Sequence, residues 1–354
     1  MMQRLKSFFA ALNRFQDHHR WVSVPWAVNQ KFGNDQANLL VVALGWYGFT
    51  AIYPLLLVVT TVFGFIGVRS LGTGIVHTLQ QFPVIGAQFH TGNGSSELHG
   101  SVFGLVIGVA GLLYGAQGVT QTAEAAMNRV WNVPQFERPG FLPRLLHSFE
   151  ALGCIGGAFV VNAFLGSFAA GIGSALWIRI VFVALQLVIN VALYLLVFRV
   201  LVAASAGVAT RSLMPGAVAG GIFFTVLITV GAGLVEHQLR HSSATYGAFA
   251  SVIGIVTFLL LLAKLSIYAA ELNPVLARRL YPRAMPMTDP QPADDRVLAD
   301  LAHEQRQRGD ERIGVGFEPG APDEARRDAE RMAEGDADQP VYSGTAEEST
   351  PERS

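Results

Sequence analysis

The sequence predicts an all-α fold, a polytopic membrane bundle of six transmembrane helices. Three observations carry that expectation. The apolar residues collect in six blocks long enough to cross a bilayer, and all of them end before residue 284. One block, Leu39 to Phe65, holds no charge, and a hydrocarbon core about 30 Å thick needs roughly 20 helical residues to span it. Charged residues make up 14% of the chain and hydrophobic ones 51%, whereas a typical soluble domain is about 25% charged.

The charge is also unevenly placed. Up to Arg283 the acids are Asp17, Asp35, Glu97, Glu124, Glu137, Glu150, Glu236 and Glu271, and the rest lie in the final segment. The net charge of -1 therefore sums a basic membrane body and an acidic tail. Cys154 is the only cysteine, which excludes an intrachain disulfide framework and a cysteine-based metal site. It reads as a small packing residue. The first apolar run starts well inside the chain and is too long for a signal-peptide core, so it is expected to remain as an uncleaved span.

In chain order, residues 1–37 form a cytoplasmic amphipathic segment. Leu5, Phe8, Phe9, Leu12 and Phe15 recur at three- and four-residue steps, with Arg4, Lys6, Arg14 and Arg20 largely off that face. Such a helix lies in the headgroup plane or packs on the membrane body, and the two are compatible. The membrane domain occupies 38–283, with spans near Asn38–Ile66, Ser101–Thr122, Leu145–Ala169, Ala175–Val200, Leu213–Leu234 and Thr245–Ala270. Basic residues set the orientation. Arg4, Lys6, Arg14, Arg20, Lys31, Arg129, Arg138, Arg144, Arg199, Arg211, Arg278, Arg279 and Arg283 fall on one side, against Arg69, Arg179 and Arg240 on the other. Both termini are thus expected in the cytoplasm. The connection Gly67–Gly100 is too long for a turn and reads as an outer cap with a short helix before Pro83. From 284 to 354 the polar, acidic composition predicts a disordered cytoplasmic tail, with one transient helical stretch at Arg296–Arg308.

Glycines at small steps, Gly104, Gly108, Gly111 and Gly115 in the second span, Gly153 and Gly157 in the third, Gly216 and Gly220 in the fifth, predict close helix packing. Pro54 removes a backbone donor within the first span. Polar groups inside spans are the sharper clue, because their insertion is costly. Gln117, Gln121, Glu124 and Asn128 follow a 4-3-4 spacing on one helical stripe. Asn162 lies within the third span, Gln186 and Asn190 are four apart in the fourth, and Lys264 and Glu271 are two turns apart in the last. Lys264 and Glu271 are about 10 Å apart axially, so each is expected to find a partner on another helix. Glu124 or the fourth span is the expectation for Lys264, and Arg129 or Arg138 for Glu271. Interhelical glue and a polar cavity both fit these residues.

Enzyme chemistry has no support in the sequence. No phosphate-binding loop or dinucleotide strand pattern occurs, and His237 and His241 lack the acidic base of a metalloprotease helix. No metal, cofactor or nucleic-acid partner is expected.

Three segments, KFGNDQANLLVVALGWYGFTAIYPLLL at Lys31–Leu57, AAMNRVWNVPQFERPGFLPRLL at Ala125–Leu146 and SIYAAELNPVL at Ser266–Leu276, resemble the YihY/BrkB family of bacterial inner-membrane proteins. The resemblance covers roughly residues 20 to 280. It implies a six-span plasma-membrane protein with a cytoplasmic N-terminus, linked to envelope integrity, to serum resistance in one pathogen and to lipid or glycolipid traffic. Members have also carried a ribonuclease label, for which this sequence offers no chemistry. The matching positions include Asp35, Gln36, Tyr53, Pro54, Asn128, Arg129, Trp131, Glu271 and Asn273. Of these, Asp35, Asn128, Arg129 and Asn273 are the candidates for the inner mouth, where Asp35, Glu271 and Arg129 are expected to form a polar cluster. The acidic tail departs from the shorter family pattern.

Two functional readings follow. An envelope transporter or flippase-like protein, without its own ATPase, would bind a lipid, glycolipid or other amphiphile in a cavity lined by Gln117, Gln121, Asn162, Gln186, Asn190 and Lys264. A structural scaffold would instead satisfy those groups between helices and bind envelope proteins or further copies of itself.

Overall fold

The computed structural model describes residues 2–66, 102–138, 140, 150, 153–154, 157, 176–202 and 207–315. Every regular element among them is helical: α1 (Met2–His18), α2 (Arg20–Asn34), α3 (Ala37–Ile66), α4 (Val102–Val130), a 3-10 turn (Gln135–Glu137), α5 (Leu176–Leu201), α6 (Thr210–Ala277) and α7 (Pro292–Glu304). Three segments of the described helices are long and apolar enough to cross a membrane: Ile180–Leu201, Thr210–Ile228 and Val252–Ala277. The expected third span, with Asn162, and the outer connection Gly67–Gly100 lie outside the described residues, apart from single positions of that span.

α6 is helical throughout but cannot be straight. Its Gly216 N–H donates to Asn273 Oδ1 at 2.6 Å, although a straight helix would separate these residues by about 85 Å. The chain therefore reverses between them, and the two arms correspond to the two spans expected at Leu213–Leu234 and Thr245–Ala270.

Small residues set the helix contacts. A Cβ on Gly111, Gly115 or Gly118 of α4 would press into Pro54, Ala51 and Tyr47 of α3 respectively, so these two helices pack antiparallel along a glycine ridge. At Gly216 an added Cβ would collide with the Ala269 carbonyl and the Asn273 side chain. Only glycine allows the arms of α6 to approach there.

α3 begins, α4 and α5 end, and α6 both begins and ends at one end of the bundle. A shared core marks it: Met127, Val130 and Trp131 from α4 and its exit, Phe198 and Leu201 from α5, and Leu213, Ala269 and Ala270 from α6. Phe32, Ala37 and Val41 pack beside it on Ala126, Ala263 and Ile267. Because Arg129, Arg138, Arg199, Arg211 and Arg278 fall here, it is called the basic end below.

The amphipathic helix expected around Leu5 to Phe15 is α1, and after the extended backbone at His19 the rest of the segment forms α2. The tail departs from expectation: it is not disordered from residue 284. Residues 284–304 fold onto the basic end, with α7 started by Pro292 and by a reciprocal cap in which Asp294 N–H donates to the Gln291 carbonyl at 2.8 Å and Gln291 N–H donates to Asp294 Oδ2 at 2.9 Å. Ala293 and Val297 are buried. The helical stretch expected at Arg296–Arg308 overlaps α7, but composition does not show the arginines that its acids meet. Residues 316–354 lie outside the described residues.

Candidate functional site

The site is built around the C-terminus of α4, where the last carbonyls of a helix have no partner within it. Asn132 takes a left-handed conformation (φ 51), and Val133 N–H donates back to Asn128 O at 2.8 Å while Asn132 N–H donates to Arg129 O at 2.9 Å. This is the Schellman arrangement, with asparagine where glycine is commoner. It leaves further carbonyls pointing outward, and three cations from three parts of the chain take them. Lys31 Nζ donates to Val130 O at 2.9 Å. Arg278 Nη2 donates to Trp131 O at 2.9 Å, with its guanidinium 5.8 Å from the Trp131 ring centre. Arg138 donates through Nε and Nη2 to Val133 O, each at 3.1 Å. Cations are favoured at this negative end of a helix dipole.

Each cation also carries a carboxylate from another element. Arg278 meets Asp300 at 2.8 Å and Arg138 meets Glu304 at 2.8 Å, both on α7. Glu304 further accepts from Asn132 Nδ2 at 3.1 Å. Lys31 holds two carboxylates, Asp35 Oδ2 at 2.5 Å and Glu271 Oε2 at 3.2 Å. The side chains of Lys31, Asp35 and Glu271 are 1%, 1% and 0% exposed, which makes this the most deeply buried of the three groupings. Burial penalises the Lys31 ammonium, but the Glu271 and Asp35 carboxylates outweigh it and hold the lysine above its ordinary pKa. Two carboxylates share one ammonium, and Asp35 Oδ1 and Glu271 Oε1 accept no hydrogen bond.

Local sequence explains the triad. Lys31 and Asp35 are one helical turn apart at the end of α2, on one face. The α2–α3 corner then turns at Gln36, at φ 50, with Gln36 N–H donating to Gly33 O at 3.0 Å. Glu271 comes from the second arm of α6, two turns beyond Lys264.

Of the expected inner-mouth residues, Asp35 and Glu271 come together, but through Lys31. The expected pairing of Glu271 with Arg129 or Arg138 is corrected: Lys31 lies closer, and Arg138 is engaged by Glu304. Arg129 is half-buried, and its Nε is buried without a hydrogen bond. Asn128 and Asn273 are buried, and Asn273 joins the two arms of α6. Along α4, Gln117 and Gln121 are half-buried while Glu124 and Asn128 are buried, so the stripe sinks into the bundle towards the basic end. Gln186 is half-buried and Asn190 buried. Asn190 Nδ2 donates to Thr225 Oγ1 at 2.9 Å, and Tyr194 and Ser266 hydroxyls are 2.9 Å apart. Lys264 is exposed and no described residue pairs with it, so its expected bond to Glu124 or the fourth span is not made among the described residues. Lys31 enters the sequence reading only as an orienting charge. Its four-residue spacing to Asp35 was the available signal.

A comparison with known families matches residues 28–293 to the family described as virulence factor BrkB. No curated protein and no solved structure matches the chain. The matched region takes in α3 to α6, all three apolar crossing segments and the whole Lys31, Asp35 and Glu271 triad. On that match, which spans most of its length, this chain belongs to the BrkB family of membrane proteins.

Proposed function

We propose that the protein crosses the bacterial inner membrane six times, with both termini in the cytoplasm, and binds or moves a lipid, glycolipid or other amphiphile without an ATPase of its own. The buried Lys31–Asp35–Glu271 cluster carries this reading. A bundle needing only stability gains nothing from it, since replacing buried ion pairs by packed apolar side chains is often neutral or stabilising. The cluster joins α2, the end of α4 and the end of α6, three elements whose relative movement would open or close the basic end.

The span count is supported by direction. α4 and α5 both end at the basic end, so the chain needs one further crossing between Arg138 and Leu176, where the third span is expected. With α3 and the two arms of α6 the count is six and even. The basic residues at the shared end support its cytoplasmic placement. We propose no catalytic role and no nucleic-acid partner.

A scaffold that binds envelope proteins or further copies of itself is the second reading, and one observation favours it. Asn190 with Thr225, Tyr194 with Ser266 and Gly216 with Asn273 are polar pairs satisfied between helices. Native mass spectrometry of gently extracted protein, with lipidomics of what copurifies, separates the two. Amphiphile transport predicts a selectively enriched lipid or glycolipid, lost on Lys264→Ala or Gln186→Ala with folding retained. Bulk membrane lipid alone, unchanged by those substitutions, would sink the transport reading and favour the scaffold.

A further inference from the structure

α1 divides its apolar stripe in two. On the inner edge Phe9 and Leu12 are half-buried, and polar bonds tether the helix to the segment after α6. Gln16 Nε2 donates to Arg283 O at 2.5 Å, and Asn13 Oδ1 accepts from Met285 N–H at 3.3 Å. Among the described residues the outer edge has no such polar tether. Phe8 is 61% exposed and Trp21, just past the α1–α2 corner, 71% exposed, with Leu5 and Phe15 also outward. At the corner the rings gather: His19 stacks on Phe15 with centroids 4.1 Å apart, and Trp21 meets both edge-on at 6.1 and 6.3 Å. Arg4, Lys6, Arg14 and Arg20 are exposed around this ledge, with Asp17 as the acid among them.

A helix that uses amides to hold the protein and leaves its aromatic residues outward is oriented for a medium other than water. We infer that the Leu5, Phe8, Phe15 and Trp21 ledge inserts into the headgroup and acyl boundary of an anionic lipid leaflet, with Arg4, Lys6, Arg14 and Arg20 at its phosphates. Charge complementarity selects this occupant: a basic rim repels a second copy of the same face, and anionic lipid attracts each basic residue by about five-fold in partitioning. The ledge is continuous with a chain that already crosses the membrane, so tethering supplies what a lone helix lacks. Aromatic side chains with a polar edge, such as Trp21, prefer this depth. The inference rests on the membrane reading and not on the amphiphile one, so a negative lipidomics result leaves it standing.

The test uses the full chain in nanodiscs, in a Cys154→Ala background, with spin labels on Phe8→Cys, Phe15→Cys or, for reference, Asp17→Cys. Collision with oxygen reports lipid, and collision with a water-soluble nickel chelate reports water. The expected result is high oxygen and low nickel collision at positions 8 and 15, the opposite at 17, and a larger contrast with phosphatidylglycerol than with zwitterionic lipid alone. Arg14→Glu with Arg20→Glu should abolish that lipid dependence. Nickel access at 8 and 15 equal to that at 17 overturns the insertion. Protection from both reagents would mean that protein covers the ledge, and overturns it as well. Insertion without dependence on anionic lipid or on the arginines overturns the headgroup assignment.

Discussion

Lys31 holds two carboxylates and one helix-terminal carbonyl on a single ammonium, with almost no access to solvent. Magnitudes decide what such a residue is for. Interhelical hydrogen bonds between neutral side chains in a membrane average about 0.6 kcal/mol, which is the scale for Asn190 with Thr225. Removing one partner of a buried ion pair costs about 3–5 kcal/mol, because the other charge stays buried. Lys31→Met should therefore destabilise the protein by about 3–5 kcal/mol in thermal or denaturant unfolding. Adding Glu271→Gln should recover part of that loss. No recovery would show that Glu271 does not depend on Lys31. The sign of the pH dependence follows from the raised pKa of Lys31. A cation favoured in the folded state contributes fully below its unfolded value and loses that contribution as pH rises through the folded one. The stability difference between wild type and Lys31→Met should not fall between neutral pH and the ordinary lysine value near 10.4, and should shrink only above it. A decline beginning near neutral pH would contradict the ion-paired state. Asp35 and Glu271 were legible as polar residues at the inner end. That Lys31 joins them was not, because a charge before the first span reads equally well as an orienting residue.

At the scale of elements, α4 and α7 show how helix ends organise the basic end. Carbonyls at and just past the end of α4 recruit Lys31, Arg138 and Arg278, and α7 answers the two arginines with Glu304 and Asp300. These two contacts differ in weight. Arg278 and Asp300 are 37% and 32% exposed, and such pairs contribute at most about 1 kcal/mol. Glu304 is buried and bonded to both Asn132 and Arg138, and hydrogen bonds to charged groups are worth about 1.5–3 kcal/mol. Glu304→Gln should thus loosen α7, seen as faster hydrogen exchange across 292–304, while Asp300→Asn should leave exchange nearly unchanged. Equal effects would mean that α7 is held by its apolar face alone. Gly111 and Gly115 were readable as part of a packing ridge from their spacing, and the structure sets them on Pro54 and Ala51, while Gly118, outside that series, meets Tyr47. A helical stretch at 296–308 was readable, but its docking was not, since the arginines that hold α7 come from positions more than a hundred residues away as well as from nearby.

For the whole molecule, the proposed arrangement fixes where each segment meets solvent. Reporter domains fused after Ile313, or in the connection at Gly207, should be cytoplasmic, and one placed just before Leu176 should be exported. An exported signal at Gly207 would break the six-span count, because α5 and α6 share the basic end there. Helical class, the family and the three apolar crossing segments of α5 and α6 were legible in the sequence alone. The reason is that lipid imposes length and apolarity on every crossing segment, a local demand that composition records directly. Which charges meet, the reversal of α6 seen in the Gly216–Asn273 bond, the split of the α1 stripe into a tethered and an outward edge, and the docking of α7 were decided only in three dimensions. Those outcomes depend on contacts between residues far apart in the chain, such as Lys31 with Glu271 and Gln16 with Arg283, where each partner alone has several plausible mates and packing selects one.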